Sequence, residues 1–391
     1  MREESSGAGF EAASFKQIPS LVLILAAILG FSFCDRRGLG SRDDPGVWVF
    51  ESYQPSEWEE EWRRGEESGE RRDRECEFLV QPEEVKRSLR LLQAVRGLVR
   101  HGTPIPPESA PLFSRMVYAL RRGPDLKDTG RRRVQLIEPL VGILRDPLTI
   151  CDRPPGVTDD DYYAFDLAEG PVQSKRHILI GPAAPWTDTP EDPASWRIGG
   201  FAPWADDPAG VGAACPRRSV LMDMGASLYD EWNGDPFAAS TIWFVDRFMR
   251  RQLAFDWIVA FEIEKHDPEE IFRRVPDDIL PHYIYFNRGI EKAPDGRWNP
   301  WRFLRGMGFT PADYVAAKLD VDEPEIEDAI INQLLNDPNL LSLVDEMFFE
   351  QHVNVRAMWA GWGQNNGLAM LDSYRLFAGL RSKGVRMHSW P

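Results

Sequence analysis

The stretch Ser219–Gly234, SVLMDMGASLYDEWNG, is the part of the sequence that says most about the kind of protein this is. A short apolar run leads through Asp223 to Gly225, Ala226 and Ser227. Small residues directly after a strand let the backbone approach a ligand closely and let the next helix pack on the strand. A phosphate-binding loop would carry more glycines and a Lys-Ser/Thr pair, and the acids of this stretch would repel a pyrophosphate. We expect either a loop for a neutral or cationic cofactor edge or an ordinary turn after a buried strand.

Short apolar runs alternate with amphipathic helices from Ser219 onward. This βαβ rhythm predicts an α/β fold with a doubly wound, mostly parallel sheet, in which ligands bind beyond the carboxyl ends of the strands. The predicted strands are 219–224, 257–264, 282–288, 314–322, 344–352 and 385–390. The predicted helices between them are 236–253, 267–275, 323–335 and 370–384.

Acidic residues at the ends of these runs are the candidates for a cofactor and a substrate. An acid that ends the second strand of such a fold typically accepts hydrogen bonds from two ribose hydroxyls, which favours Glu262, with Glu264 as its competitor. Asp320 and Asp322 follow a later strand. They could hold a divalent metal for a sugar nucleotide, or they could orient a substrate hydroxyl.

His352 is the candidate general base. Glu350 and His352 have the same parity on the predicted strand 344–352, so both are expected to face the cleft. An imidazole there could accept the proton of a hydroxyl group. A structural histidine in the core is the alternative.

The order of the motifs is more specific than any one of them. The Asp-x-Gly loop at 223–225 is followed by AFE at 260–262, KLDVDEPEIE at 318–327, FFEQH at 348–352 and GVRMH at 384–388. Between 219 and 390 the chain thereby resembles the FkbM-type family of S-adenosylmethionine-dependent methyltransferases. The corresponding family motifs are similar to Asp-x-Gly-Ala, AFEP, KIDVEGAE and a Glu-x-His pair.

The resemblance implies a class I, Rossmann-like methyltransferase that uses S-adenosyl-L-methionine on hydroxyl oxygens, often of sugars. It implies that the loop of Asp223, Gly225, Ala226 and Ser227 lines the methionine end of the cofactor. It further implies that Glu262 binds the ribose. The acceptor would then be a glycan or a small molecule on the side of Asp320, Asp322 and His352, with no metal. Ser227 stands where the family has a second glycine.

The N-terminal half is predicted to be organised differently. After a tail (1–17), the uncharged stretch 18–34 predicts a membrane-spanning or signal segment, and 35–80 reads as a charged stem with some helix. Residues 81–215 are predicted to form a helical and loop-rich cap, with helices at 82–99, 107–121 and 132–144 and a short strand at 177–180. The methyltransferase-like domain is predicted at 216–391.

Composition limits the partners and the location. The formal net charge of −16 excludes nucleic acid as an expected partner, because such a surface repels phosphate backbones. The four cysteines are far apart without a Cys-x-x-Cys pair, so we expect no zinc site, and their disulfide state is open. Basic residues flank the segment 18–34 on both sides. They leave open a cytosolic body, a lumenal body of the Golgi type, or secretion after cleavage.

Two rival functions remain beside the methyltransferase. One is a type II membrane glycosyltransferase that holds a metal with Asp320 and Asp322. The other is a non-catalytic binding protein on the same fold, which the replacement of a loop glycine by Ser227 favours. The oligomeric state and the acceptor do not follow from the sequence.

Overall fold

The computed structural model contains two sheets, each accompanied by helices, in the part of the chain that it describes. The described residues are 47–70, 74–79, 81–101, 105–141, 185–187, 197–198, 218–230, 240–249, 254–354 and 367–390. An antiparallel sheet lies in the N-terminal half, and a parallel sheet with its helices follows it.

The antiparallel sheet has the strand order β1-β2-β3-β4-β5. Its strands are β1 (Val47–Gln54), β2 (Ser114–Arg122), β3 (Lys127–Ile137), β4 (Pro185–Thr187) and β5 (Arg197–Ile198). The helices that accompany it are α1 (Glu57–Ser68), α2 (Glu75–Leu79) and α3 (Pro82–His101), with a 3-10 turn at Ala110–Leu112.

The parallel sheet has the order β8-β7-β6-β9-β10-β11, and every neighbouring pair is parallel. Its strands are β6 (Ser219–Met224), β7 (Trp257–Phe261), β8 (Tyr283–Phe286), β9 (Tyr314–Leu319), β10 (Glu346–Phe349) and β11 (Arg386–Ser389). Numbered within the sheet, this is the 3-2-1-4-5-6 order of doubly wound nucleotide-binding folds. The predicted α/β fold with a mostly parallel sheet is confirmed.

Helices cover both faces of the parallel sheet. They are α4 (Ser240–Met249), α5 (Pro268–Arg273), α6 (Pro300–Gly306), α7 (Pro324–Asn336), α8 (Pro338–Leu341) and α9 (Met370–Arg381). In β6, Val220 and Met222 belong to one buried cluster, whereas Leu221 belongs to the cluster on the opposite face. Burial on both faces explains why the strands are continuous apolar runs and do not alternate with polar residues. The Asp267 side chain caps the N-terminus of α5, because it accepts a hydrogen bond from Glu269 N.

The two helices predicted at 107–121 and 132–144 are wrong, because residues 114–121 belong to β2 and residues 132–137 belong to β3. The two strands pair antiparallel. Gly123 and Leu126 have positive φ angles of 75° and 48° in the turn that joins them. A Gly-Pro-Asp turn sequence at 123–125 was the signal against helices on both sides of it. The helix predicted at 82–99 is confirmed as α3.

The predicted stem is also wrong for part of its length. Residues 47–54 form β1, and α1 buries Trp58, Glu59 and Trp62. The segment looked like a stem because it is poor in aliphatic residues. Its core-facing side chains are tryptophans, each of which contributes roughly 2–3 kcal/mol when buried. The predicted strand 177–180 and the predicted membrane segment 18–34 lie outside the described residues. Among the helices described, none is long and apolar enough to cross a membrane.

Buried polar contacts join the two sheets. The Glu59 carboxylate of α1 accepts hydrogen bonds from Ser114 Oγ at 2.6 Å and Leu140 N at 2.9 Å. It also accepts one from Tyr374 Oη of α9 at 3.2 Å. Arg381, at the end of α9, is fully buried, and it donates to the carboxylate and to the carbonyl of Glu138 at 2.8 and 2.7 Å. The N-terminal sheet is therefore attached to the parallel sheet by charged groups with several partners each.

A second buried network runs along β10 and β11. Glu346 Oε2 accepts from Arg386 at 3.0 Å and also from Tyr314 Oη. His388 places Nε2 at 2.7 Å from Glu346 and Nδ1 at 2.8 Å from Glu138. Burial alone would lower the pKa of His388, but the carboxylates of Glu138 and Glu346 raise it. The imidazole between two carboxylates is therefore held in its charged form, with both nitrogens donating.

The charge of Glu346 makes the stability of the fold depend on pH, with less stability in acid. Burial alone would raise the pKa of Glu346, but Arg386 and His388 outweigh burial and lower it from 4.5 to about 2. A carboxyl group with a lowered folded pKa stabilises the fold above its unfolded pKa. That stabilisation is lost as the pH falls through the folded pKa. The window for Glu346 is thus from about pH 4.5 down to about 2.

We predict that Glu346→Gln lowers the free energy of unfolding near neutral pH by about 3 kcal/mol, because Arg386 and His388 lose a buried charged partner. The difference from wild type should shrink as the pH falls from 4.5 toward 2. Urea unfolding of both proteins over this range measures it. The control is Glu325→Gln, an exposed acid paired with Lys292, which should leave the stability nearly unchanged. A difference that grows in acid would contradict the assignment.

Candidate functional site

The candidate site lies where β6 and β9 end side by side. The two strands are paired in register up to Met224 and Leu319. From β6 the chain adds β7 and β8 on one side of the sheet and then returns to add β9, β10 and β11 on the other side. The switch point of the topology therefore lies between β6 and β9. Ligands of doubly wound folds bind in the crevice at this switch point, beyond the carboxyl ends of the strands.

Gly225, the first residue after β6, closes directly onto the end of β9. Its φ angle is +84°, and a Cβ atom there would lie 1.6 Å from the carbonyl oxygen of Asp320. No side chain fits in that space. The sequence motif therefore has a structural cause: the glycine allows two backbone segments to touch at the switch point.

The loop after β6 is also fastened to β7 and β8. The amides of Gly225 and Ala226 both donate to the carbonyl of Phe261, at 3.0 and 3.1 Å. Ser227 has a positive φ of 51°, and its carbonyl accepts from Tyr285 Oη at 3.0 Å. The side chain of Ala226 is buried, whereas Ser227 is exposed. The loop is thus fixed in one conformation, and Ser227 is the predicted loop residue that faces outward.

Glu262, directly after β7, supports this loop. Its carboxylate accepts from Ser227 N at 2.8 Å and from Glu264 N at 2.7 Å. Only 8% of Glu262 is exposed. A carboxylate has about four acceptor positions, so two remain for the hydroxyls of a ribose. The competing candidate, Glu264, is exposed, and only its backbone takes part in these contacts.

Asp223 lies inside the fold beneath the loop. Its side chain is fully buried and accepts from Thr241 Oγ1 of α4 at 2.6 Å. The ammonium of Lys318 lies 3.8 Å from the other carboxylate oxygen. Asp223 is therefore buried between Thr241 of α4 and Lys318 of β9, and Lys318 in turn donates to the carbonyl of Gly225 in the loop.

Lys318 is a site residue that the motif analysis missed. It lies in β9 opposite Asp223 and is 2% exposed. Its ammonium donates to the carbonyl of Gly225 at 2.5 Å and contacts the carboxylate of Asp320 at 3.1 Å. A buried ammonium is costly unless it is paired, so these oxygens are needed to hold it. The signal in the sequence was the single lysine inside the otherwise apolar run YVAAKL.

Asp320 is held from two sides. Besides Lys318, Trp390 Nε1 donates to its carboxylate at 3.0 Å. Burial raises the pKa of Asp320 to about 6, with Lys318 acting in the opposite direction and Glu350 adding to the increase. The Trp390 ring stacks on Phe244 of α4 at 4.9 Å between centroids and is fully buried. Trp390 thus connects the end of the sheet to the candidate site, which its sequence position did not suggest.

Asp322, Glu350 and His352 converge on one point next to this pair. His352 Nε2 lies 3.7 Å from a carboxylate oxygen of Glu350 and 3.9 Å from one of Asp322. One ligand atom from each of the three residues lies within 4.8 Å of the others. The predicted strand 344–352 ends earlier, at Phe349. Glu350 and His352 are therefore brought together by the segment after β10 and not by strand parity.

The surroundings of His352 and Glu327 raise the pKa values of both side chains. Burial alone would lower the pKa of His352, but the neighbouring carboxylates, Glu350 first, raise it. Burial raises the pKa of Glu327 to about 8, although the amide of Val321 donates to its carboxylate at 2.9 Å. The carboxylates of Asp320 and Glu350 add to this increase in the pKa of Glu327, and His352 opposes it. Lys318 contacts the carboxylate of Asp320, and His352 lies near those of Asp322 and Glu350.

The structure thus separates the predicted Asp-x-Asp pair. Asp320 is engaged with Lys318 and Trp390, whereas Asp322 is 86% exposed and lies with Glu350 and His352. The backbone of Asp322 has a positive φ of 54°, which turns the chain between the two acids. Among the described residues, the group of possible metal ligands contains Asp322 but not Asp320.

Comparison of the chain with protein-family models, with curated proteins and with solved structures found no match in any of the three. The class of protein that the structure defines is an α/β protein with a doubly wound parallel sheet and an acidic edge at its switch point. The FkbM-type resemblance stays a prediction from the motifs.

We predict that Gly225→Ala destabilises the protein far more than Gly308→Ala. Both glycines have positive φ angles, 84° and 70°, which cost an L-residue about 1–2 kcal/mol. A Cβ at Gly308 meets nothing within 4 Å, whereas at Gly225 it meets the backbone of Asp320. We expect a further loss of about 1–3 kcal/mol for Gly225→Ala in urea unfolding. Equal losses for the two variants would show that the contact with Asp320 is not a constraint.

Proposed function

We propose that the protein is an S-adenosylmethionine-dependent methyltransferase that acts on a hydroxyl oxygen of a glycan or small molecule. The observation that carries the proposal is the contact between Ser227 N and Glu262 at 2.8 Å. It joins the glycine loop after the first strand of the sheet to the acid that ends the second. In doubly wound folds these two elements hold a nucleoside-containing cofactor.

The contacts of the loop support a place for the cofactor. Ser227 is exposed beside Glu262, whose two remaining acceptor positions suit ribose hydroxyls. The carbonyl of Gly225 already accepts from Lys318, so the loop offers this cofactor a fixed backbone surface and not a flexible one. Such a preorganised loop binds a ligand without an added cost of ordering.

Charge favours S-adenosylmethionine over a dinucleotide. Asp320, Asp322 and Glu350 lie at the same edge of the sheet, where Lys318 contacts Asp320 and His352 lies near Asp322 and Glu350. An edge of this kind repels a pyrophosphate and attracts a sulfonium or an ammonium group. The loop also lacks the glycines and the Lys-Ser/Thr pair that hold phosphates.

The acceptor side would be formed by Asp322, Glu350 and His352. Once bound, the cofactor supplies an electrophilic methyl group. The chain must hold the acceptor oxygen in line with the methyl carbon and its sulfur and must provide a way out for the hydroxyl proton. Asp322 is largely exposed, so the acceptor can approach this point from solvent.

The two rival functions lead to different expectations. A glycosyltransferase would use Asp320 and Asp322 together on a metal, and the contacts of Asp320 with Lys318 and Trp390 weigh against that use. A non-catalytic protein would keep the loop contacts but bind no cofactor. The proposed location is a membrane, through the predicted segment 18–34, with the side of the membrane open.

We predict that the full-length protein binds S-adenosylmethionine and S-adenosylhomocysteine with dissociation constants below about 100 μM, a binding free energy of about 5.5 kcal/mol or more. Isothermal titration calorimetry measures this directly. Glu262→Gln should weaken binding at least about tenfold, because it removes a charged acceptor. Its matched control is Glu264→Gln, an exposed acid two residues away, which should bind within about twofold of wild type.

Two results would overturn the proposal. The first is the absence of binding at millimolar concentrations of either ligand. The second is preferential binding of NAD⁺ or of a sugar nucleotide, because those ligands carry the pyrophosphate that the acidic edge should reject. Circular dichroism of each variant checks that the fold is retained.

A further inference from the structure

We propose that Asp322, Glu350 and His352 form a binding site for a divalent transition-metal cation. The site stands on its own geometry. Its use in catalysis, to hold the acceptor hydroxyl, rests on the proposed function. It differs from the Asp-x-Asp metal pair suggested by the sequence, because Asp320 is replaced by a glutamate and a histidine from another segment.

The ligand atoms already lie close together. The distances from His352 Nε2 are 3.7 Å to Glu350 and 3.9 Å to Asp322, and all three ligand atoms lie within 4.8 Å of one another. Ligands at about 2.0–2.2 Å from one cation are about 3–4 Å apart, so small side-chain movements suffice to bring them to coordination distance. The three residues come from the loop after β9 and the segment after β10, which parallel pairing holds side by side.

Burial and exposure are arranged for a cation that enters from solvent. His352 is 7% exposed and Glu350 is 12% exposed, so their rotamers are restricted by the surrounding protein. Asp322 is 86% exposed and leaves the outer side of the group open. A site with three protein ligands and an open side retains positions for water or for a substrate oxygen, which is the arrangement of catalytic metal sites.

The surrounding charge also favours a cation. Lys318, the nearby ammonium, is occupied by Asp320 and by the carbonyl of Gly225. His352 lies near the carboxylates of Asp322 and Glu350, and a bound divalent cation would replace the imidazole proton as the positive charge that balances them.

The donor set indicates the type of metal. One imidazole nitrogen and two carboxylates suit Mn²⁺, Fe²⁺ or Zn²⁺ better than Ca²⁺ or Mg²⁺, which prefer oxygen ligands alone. A cation here would act as a Lewis acid that orients an acceptor hydroxyl and lowers the pKa of its proton. Acceptors with two neighbouring hydroxyls, such as sugars, could occupy the open positions in pairs.

The test uses Mn²⁺ as the probe and the full-length protein freed of metal by a chelator. Electron paramagnetic resonance follows the loss of the free Mn²⁺ signal on binding, and electron spin echo modulation detects a coordinated imidazole nitrogen. We expect one Mn²⁺ per chain at micromolar concentrations, with nitrogen coupling. His352→Gln and Asp322→Asn should each weaken binding at least about tenfold. His352→Gln should abolish the nitrogen coupling.

The control is Glu323→Gln, which removes an exposed acid next to Asp322 that is not part of the group and should bind as wild type does. Asp322→Asn keeps the test decisive if His352→Gln does not fold, because position 322 is exposed. Absence of binding below millimolar Mn²⁺, equal weakening by Glu323→Gln, or binding without nitrogen coupling would overturn the inference. Mn²⁺ binding without any S-adenosylmethionine binding would support the metal site and contradict the proposed methyltransferase. Binding of S-adenosylmethionine without Mn²⁺ would support the proposed function and contradict the metal site.

Discussion

The contact between the backbones of Gly225 and Asp320 is the constraint on which the candidate site depends. A single missing Cβ lets the loop after β6 rest on the end of β9. Because the loop lies there, its carbonyl can accept from the buried Lys318, and its next residues can reach Phe261 and Glu262. The ends of the central strands are thereby joined into one rigid edge. The acidic groups of this edge give it a preference for cationic ligands.

The parallel half of the fold follows from the sequence, and the site follows only in part. The apolar runs after Ser219 are buried on both faces, so their order alone predicted the sheet. Asp322, Glu350 and His352 were candidates from their motifs, yet their convergence on one point was not expected. It depends on where β9 and β10 end and how they pair. Trp390 reaches Asp320 from 70 positions away, and no local pattern encodes such a contact.

The N-terminal half shows why composition misled the predictions there. The helix α1 contributes Trp58, Trp62 and the buried Glu59 to the core of this half and no aliphatic side chain, which is why its composition predicts a charged stem. Hairpin strands with arginines at their ends looked like helices. Glu59 and Glu138 then attach this unit to Tyr374 and Arg381 of α9 and to His388 of β11 through buried hydrogen bonds and ion pairs. These partners are distant in sequence, so no local pattern predicts the contacts. Some charged residues of this half are therefore buried in the interior of the protein, although its composition suggests a solvated surface.

A crystal structure of the full-length protein grown with S-adenosylhomocysteine and Mn²⁺ would show directly whether this edge holds the cofactor. We expect adenosyl density at the switch point, with the ribose hydroxyls on Glu262 and the sulfur end toward the loop of Gly225. We also expect an anomalous Mn²⁺ peak between His352, Glu350 and Asp322. Density for the nucleoside anywhere else, or a ribose held without Glu262, would contradict the assignment of this edge as a cofactor site.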